Sequence, residues 1–176
     1  MRIQKLMKLG FFVAVMFVMM GHMYPSQMAA NARIGVSFPH MEAYPGIGSN
    51  GGFECYVTPS ITLEGVLGYH RIGGKLLGAA TINIWQLSLN SRIYFSVIGP
   101  LKPYVNGGIG IYFQRPVQLP IQRPGSEDFG FNLGAGLDYY LNPSWALELA
   151  YNFHYIKPGY WRIELSSLQA GLKWKF

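Results

Sequence analysis

Polar and apolar residues alternate with a period of two along most of this chain. In 145–155 one face reads Trp145, Leu147, Leu149, Tyr151, Phe153 and Tyr155, and the other reads Ala146, Glu148, Ala150, Asn152 and His154. The same alternation runs through 85–95, 129–141 and 168–176. Successive residues of a strand point to opposite faces, so this pattern specifies two-sided strands. The apolar face carries many large rings, too much volume for the inside of a small barrel. The opposite face is Gly, Ala, Ser and Asn with scattered charges. An inside-out barrel satisfies both faces, with the apolar one toward lipid. Only 12% of residues are charged and 15% are aromatic, whereas a soluble domain of this size needs a charged surface. A closed barrel also pairs every backbone group between strands, as a span without long apolar helices must.

The first 32 residues read as a targeting segment. Arg2, Lys5 and Lys8 precede an apolar core at 10–20, too short for a spanning helix. Ala30-Asn31-Ala32 forms an A-x-A pattern, which predicts cleavage after Ala32. The expected domains are a signal peptide at 1–32 and a barrel at 33–176. The segment holds three of the 14 basic residues and no acids, so 33–176 has a net charge of 11 − 8 = +3. That balance, with an export signal, argues against a nucleic-acid partner. Cys55 is the only cysteine, which excludes an internal disulfide and reads as a small apolar residue.

Eight strands are expected, near 33–38, 51–58, 61–71, 82–97, 103–115, 128–141, 144–157 and 163–176. The links at 58–60, 99–102 and 142–144 each carry a Pro and read as tight turns. Those at 39–50, 72–81, 116–127 and 158–162 are longer or Gly-rich. Short turns belong on the periplasmic side and long loops outside.

Two stretches echo each other. Residues 52–72 align without a gap onto 136–156, an offset of 84, and repeat Tyr, Pro, Ser, Leu, Glu, His and Ile in the same slots. If the strand count holds, the copies are two hairpins half a barrel apart, facing each other across the lumen. Glu54, Glu64, Asp138 and Glu148 fall on inward positions, each about four residues from its periplasmic turn. Arg92 and Lys173 lie inward at comparable height, with Lys175 lower down. The expected arrangement is one charged layer of four acids and two bases. Unpaired charges in so narrow a space are costly, so they need each other. The competing reading of this layer is a constriction in a small pore.

Ser144, Glu148 and His154 have the residue types of a hydrolase triad. Along a strand of about 3.3 Å per residue, Ser144 and His154 stand roughly 33 Å apart, so they cannot share a proton. His70 and His154 point inward near the outer mouth. No third ligand accompanies them at metal spacing, and hydrogen-bonded interior histidines are expected instead. The glycine clusters at 106–112 and 130–136 open no helix, so no nucleotide cradle follows. No catalytic residue, cofactor or metal is assigned.

The last residues, "LQAGLKWKF", resemble the C-terminal signature of bacterial outer-membrane barrels. That resemblance implies that Leu172, Trp174 and Phe176 are read by the barrel-assembly machinery. The stretch "FGFNLGAGLDYYLNPSWALELAYNFHYI" is similar to the strand–turn–strand of OmpA-type and opacity-type eight-stranded barrels. The resemblance implies an up-and-down antiparallel barrel in the outer membrane of a Gram-negative bacterium, with an interior ion-pair network. Arg71, Lys75, Arg115, Arg123, Lys157 and Arg162 lie on or beside the outer loops against Glu42, Glu127 and Asp128. This basic rim suggests contact with outer-membrane lipid and the phosphates of lipopolysaccharide. The function expected is a structural or interaction protein with a filled lumen. A narrow channel for small solutes or ions is the alternative, and a lipid-modifying enzyme the third.

Overall fold

The computed structural model describes residues 28–40, 43–74, 81–95, 99–117, 126–157 and 163–176. Its strands are β1 (Met28–Pro39), β2 (Ala43–Thr58), β3 (Ile61–Gly74), β4 (Thr81–Tyr94), β5 (Leu101–Val117), β6 (Ser126–Tyr140), β7 (Trp145–Lys157) and β8 (Ile163–Lys175). They pair in chain order and close into one barrel, with every pair antiparallel, including β1 with β8.

The register fixes the barrel's shape. Starting at Ala29 and stepping through paired residues leads to Glu54, Glu64, Asn90, Gly108, Asn132, His154 and Leu165, and back to Pro39. The circuit returns 39 − 29 = 10 residues along β1. With strands about 4.8 Å apart, a stagger of this size tilts them by roughly 40° and gives a radius of about 8 Å. Such an interior is wide enough for side chains to fill and for little else.

Alternation decides which side faces lipid. On β7 the exposed residues include Trp145, Leu147, Leu149 and Tyr151, while Ala146, Glu148, Ala150, Asn152 and His154 are buried. Leu133 is 64% exposed whereas Arg92 and Glu54 are 0% exposed. Ions inside and hydrocarbons outside is the membrane-barrel arrangement. Among the described residues no helix is long and apolar enough to cross a membrane.

The tight turns have local causes. The Asn142 side-chain oxygen accepts from the backbone N–H groups of Ser144 and Trp145, both at 2.9 Å. Thr58 Oγ1 accepts from Ser60 and Ile61 at 3.3 and 3.0 Å. Gly99 takes φ = 104° in the β4–β5 turn, a conformation only glycine adopts freely. The start of β1 and the end of β8 meet at this same end of the barrel, where Met28 and Phe176 exchange backbone hydrogen bonds.

Two boundaries differ from the sequence reading. β1 starts at Met28, five residues before the expected barrel start at 33, and its early part pairs with both β2 and β8. A cut after Ala32 would therefore divide a strand. The rest of the expected signal peptide, 1–27, lies outside the described residues. The second difference is 39–50, expected as a loop but strand from Ala43 onward. Its Pro and Gly residues look like turn signals. The glycines instead make room: a side chain at Gly46 would run into the Arg71 backbone, and one at Gly48 into Ser37 and His70.

Candidate functional site

The inward side chains form stacked layers. At the periplasmic end Tyr56 and Tyr140 touch hydroxyl to hydroxyl at 3.3 Å. Lys175 lies 4.8 Å from the Tyr56 ring and Lys102 4.8 Å from that of Tyr140.

Above them is the charged layer. Arg92 presents Nε and Nη2 to the two oxygens of Glu64 at 3.0 and 2.6 Å, a two-pronged match to a carboxylate that a lysine cannot make. Its Nη1 lies 2.8 Å from both Glu54 and Glu148. Lys173 Nζ reaches Glu54 at 3.0 Å and is also paired with Asp138. Tyr104 donates to Glu148 at 2.6 Å while its ring stacks under Arg92, 4.6 Å from ring centre to guanidinium carbon. Tyr94 donates to Glu54 at 3.2 Å and accepts from Lys173 at 2.7 Å. Desolvating so many ions is tolerable only because each is paired with at least one opposite charge.

Structure thus places Glu54, Glu64, Arg92, Asp138, Glu148 and Lys173 in one layer. It adds a base that sequence reasoning missed. Arg33 of β1 pairs with Glu64 at 2.8 Å and Glu148 at 3.1 Å. The layer therefore holds four acids and three bases, not four and two. Asn31 was also missed. Its amide donates to Glu54 and Glu64 at 2.9 Å each. The signal was present in the alternation of β1, where Asn31, Arg33, Gly35 and Ser37 oppose Ile34, Val36 and Phe38.

Next comes a layer of amides. Asn106 donates to Asn152 and Asn132 to Asn90, each at 2.9 Å, and Asn50 donates to Gln169 at 2.7 Å. Arg33, Asn50, Val66, Gln86, Asn90, Asn132, Asn152 and His154 line a cavity that offers about 10 Å³ to the centre of a water molecule, room for about one water.

His70 and His154 meet above the amides, ring centres 5.3 Å apart. His70 bonds Ser37 at 2.8 Å and Gln86 at 3.3 Å, and His154 bonds Tyr112 at 3.1 Å. Among the described residues no group of three metal-ligating side chains forms. Over the histidines sits an apolar plug of Ile72, Ile84, Tyr112, Ile156, Ile163 and Leu165. Sequence reasoning missed it, because it treated the inward face as small and polar along its whole length.

The 84-residue echo acquires a physical meaning here. Residues related by it meet across the lumen: Tyr56 with Tyr140, and His70 with His154. Glu64 and Glu148 share Arg33 and Arg92. Glu54 and Asp138 share Lys173, and Ile72 and Ile156 share the plug. Arg92 and Lys173 fit the same approximate twofold, since their cross-strand partners Thr62 and Ala146 differ by 146 − 62 = 84.

The triad types do not assemble. Ser144 is exposed in its turn, Glu148 is held by arginines, and His154 bonds Tyr112. A different serine–histidine pair exists on the outward face, where Ser166 Oγ lies 2.7 Å from His40 Nε2 and 2.8 Å from the Tyr151 hydroxyl. Ser166 is only 3% exposed, and no described carboxylate bonds the His40 ring. The pair satisfies a hydroxyl on the lipid face, as a dry environment requires.

The C-terminal Leu172, Trp174 and Phe176 point outward. Trp174 packs 6.2 Å from Trp145 and 4.8 Å from Phe176, an aromatic girdle at the periplasmic rim. At the opposite rim Arg71, Arg115, Lys157 and Glu127 are exposed and Asp128 is buried. Lys75, Arg123, Arg162 and Glu42 lie outside the described residues.

A closed, inside-out barrel of eight antiparallel strands, with an ion-paired lumen and an apolar outer wall, defines a transmembrane protein of the Gram-negative outer membrane. The chain belongs to the outer membrane protein beta-barrel domain family, whose sequence model matches residues 13–176. Among solved structures it is similar to neisserial surface protein A, at 16% identity and a TM-score of 0.68, covering 85% of this chain and 96% of that one. It is also similar to the N-terminal β-barrel domain of Pseudomonas aeruginosa OprF, at 17% identity and TM-score 0.59, covering 86% and 98%. OprG of Pseudomonas aeruginosa gives 14% identity and TM-score 0.62, covering 88% and 97%. At these identities the likeness establishes the fold alone. No curated protein matches the sequence significantly.

Proposed function

We propose that this protein is a structural and interaction component of the outer membrane, with a sealed lumen and no enzymatic role. The observation that carries this reading is the stack of layers itself. Ion pairs close the barrel on the periplasmic side, amides fill its middle, and isoleucines, Leu165 and Tyr112 close it toward the outside. The cavity between them has room for about one water. A solute would have to part the Arg92–Glu64 pair and the apolar plug in one passage. Such a barrel acts through its surfaces, the lipid-facing wall and the outer rim.

A liposome-swelling assay tests the sealed lumen. Proteoliposomes should shrink and stay shrunken in arabinose, like protein-free vesicles. Swelling that scales with protein content would support the narrow-channel alternative instead.

A further inference from the structure

We infer that the outward face of β3, β4 and β5 at the outer rim is a binding site for the phosphate groups of an outer-leaflet lipid, with Arg71, Asn83 and Arg115 as its donors. These three residues are cross-strand neighbours in a single row: Arg71 pairs with Asn83, and Asn83 with Arg115. His70, Ile72, Ile84 and Gln114 beside them in the chain are buried, so the three side chains leave the barrel wall rather than enter the lumen. Arg71 and Arg115 are exposed. Among the described residues neither guanidinium has an acidic partner. Two strand spacings separate their Cα atoms, about 10 Å, a gap that two long arginine arms close around one phosphate.

Asn83 is oriented for the same task. Tyr69 donates its hydroxyl to Asn83 Oδ1 at 3.0 Å, which occupies the amide's acceptor and leaves its NH₂ to donate between the two arginines. Tyr69 in turn packs against Trp85, with ring centres 4.8 Å apart. Tyr69, Trp85 and Phe113 form the next row toward the membrane centre, again in register. Aromatic rings of this kind sit at the level of lipid headgroups. The donor row is therefore just above the acyl chains, on the side away from Met28 and Phe176, where the phosphates of the outer leaflet lie. Planar guanidinium groups match phosphate oxygens in pairs. A soluble anion would need only the charges. A lipid also needs the aromatic shelf beneath them, which is why the occupant assigned is a phosphorylated lipid. Glu127 is opposite Phe113 on β6 and bounds the donor row on that side. This inference goes beyond the sealed-lumen reading and stands without it.

The test uses the full barrel folded in dodecyl maltoside, with bound lipid read by native mass spectrometry. The probe is bis-phosphorylated lipid A, compared with the same lipid stripped of phosphate and with inorganic phosphate as competitor. Wild type should retain the phosphorylated lipid. R71Q/R115Q should weaken retention by about tenfold or more, the loss expected for two charge-assisted contacts. N83A should weaken it less. Lys102→Gln, at the opposite end of the barrel, should change nothing. Heat-modifiable gel mobility shows whether each variant is folded, and R71K/R115K, which keeps the charges but loses the fork, provides a second variant that should fall between the two. Equal retention by R71Q/R115Q and wild type would overturn the site. So would equal retention of the dephosphorylated lipid. Displacement by inorganic phosphate at matching concentration would make it a free-anion site and overturn the lipid assignment.

Discussion

Arg92 is the residue on which the interior depends most. It touches three carboxylates and a tyrosine ring while fully buried. Removing it leaves Glu54, Glu64 and Glu148 short of positive charge in a dry lumen. Arg92→Ala should therefore lower stability by about 3–5 kcal/mol, measured by urea unfolding from lipid vesicles. Arg92→Lys should recover part of that loss, because charge returns without the two-pronged fit to Glu64. An unchanged unfolding midpoint in Arg92→Ala would show that the ion pairs are not what holds the interior. Gly136 tests packing rather than charge. A Cβ there would meet the Tyr104 ring and the Leu149 backbone. Gly136→Val should cost about 1–3 kcal/mol through overpacking and push Tyr104 off Glu148.

The strands show how far alternation carries an argument. Period two assigned Glu54, Glu64, Arg92, Asp138, Glu148 and Lys173 to the lumen, and their heights followed from the distance to each turn. It did not single out Arg33, since its strand was expected to begin at that residue. Nor did it reveal the apolar plug: at the outer mouth Ile72, Ile84 and Ile156 point inward while Arg71, Asn83 and Lys157 beside them face outward, so the polarity of the alternation is inverted there. In 43–50 the difficulty was different. Gly46 and Gly48 carry a packing constraint that only the neighbouring strands disclose, and in sequence they are indistinguishable from turn glycines. The extent of β1 leads to a prediction of its own. Because Asn31 bonds Glu54 and Glu64 and residues from Met28 pair on both sides, the exported protein should begin at or before Met28. N-terminal sequencing of the membrane fraction checks this, and a chain beginning at Arg33 would contradict it.

On the scale of the whole molecule, the barrel is built about an approximate twofold axis. The echoed hairpins meet residue against partner residue across the lumen, which lets one solution to the packing problem be used twice. Exact symmetry fails where it matters electrostatically: Lys173 stands where the other half has Arg92, and Asn106 stands where it has Arg33. Arg33 and Arg92 together hold Glu64 and Glu148, while Lys173 holds Asp138. In the proposed sealed-lumen reading each layer closes the lumen in a different way, so a leak would require several to fail together. The most direct measurement is conductance across a planar bilayer with the purified, refolded protein inserted. The account predicts a membrane as silent as the protein-free bilayer in molar salt. Stable, ohmic current steps that grow with salt concentration would contradict it.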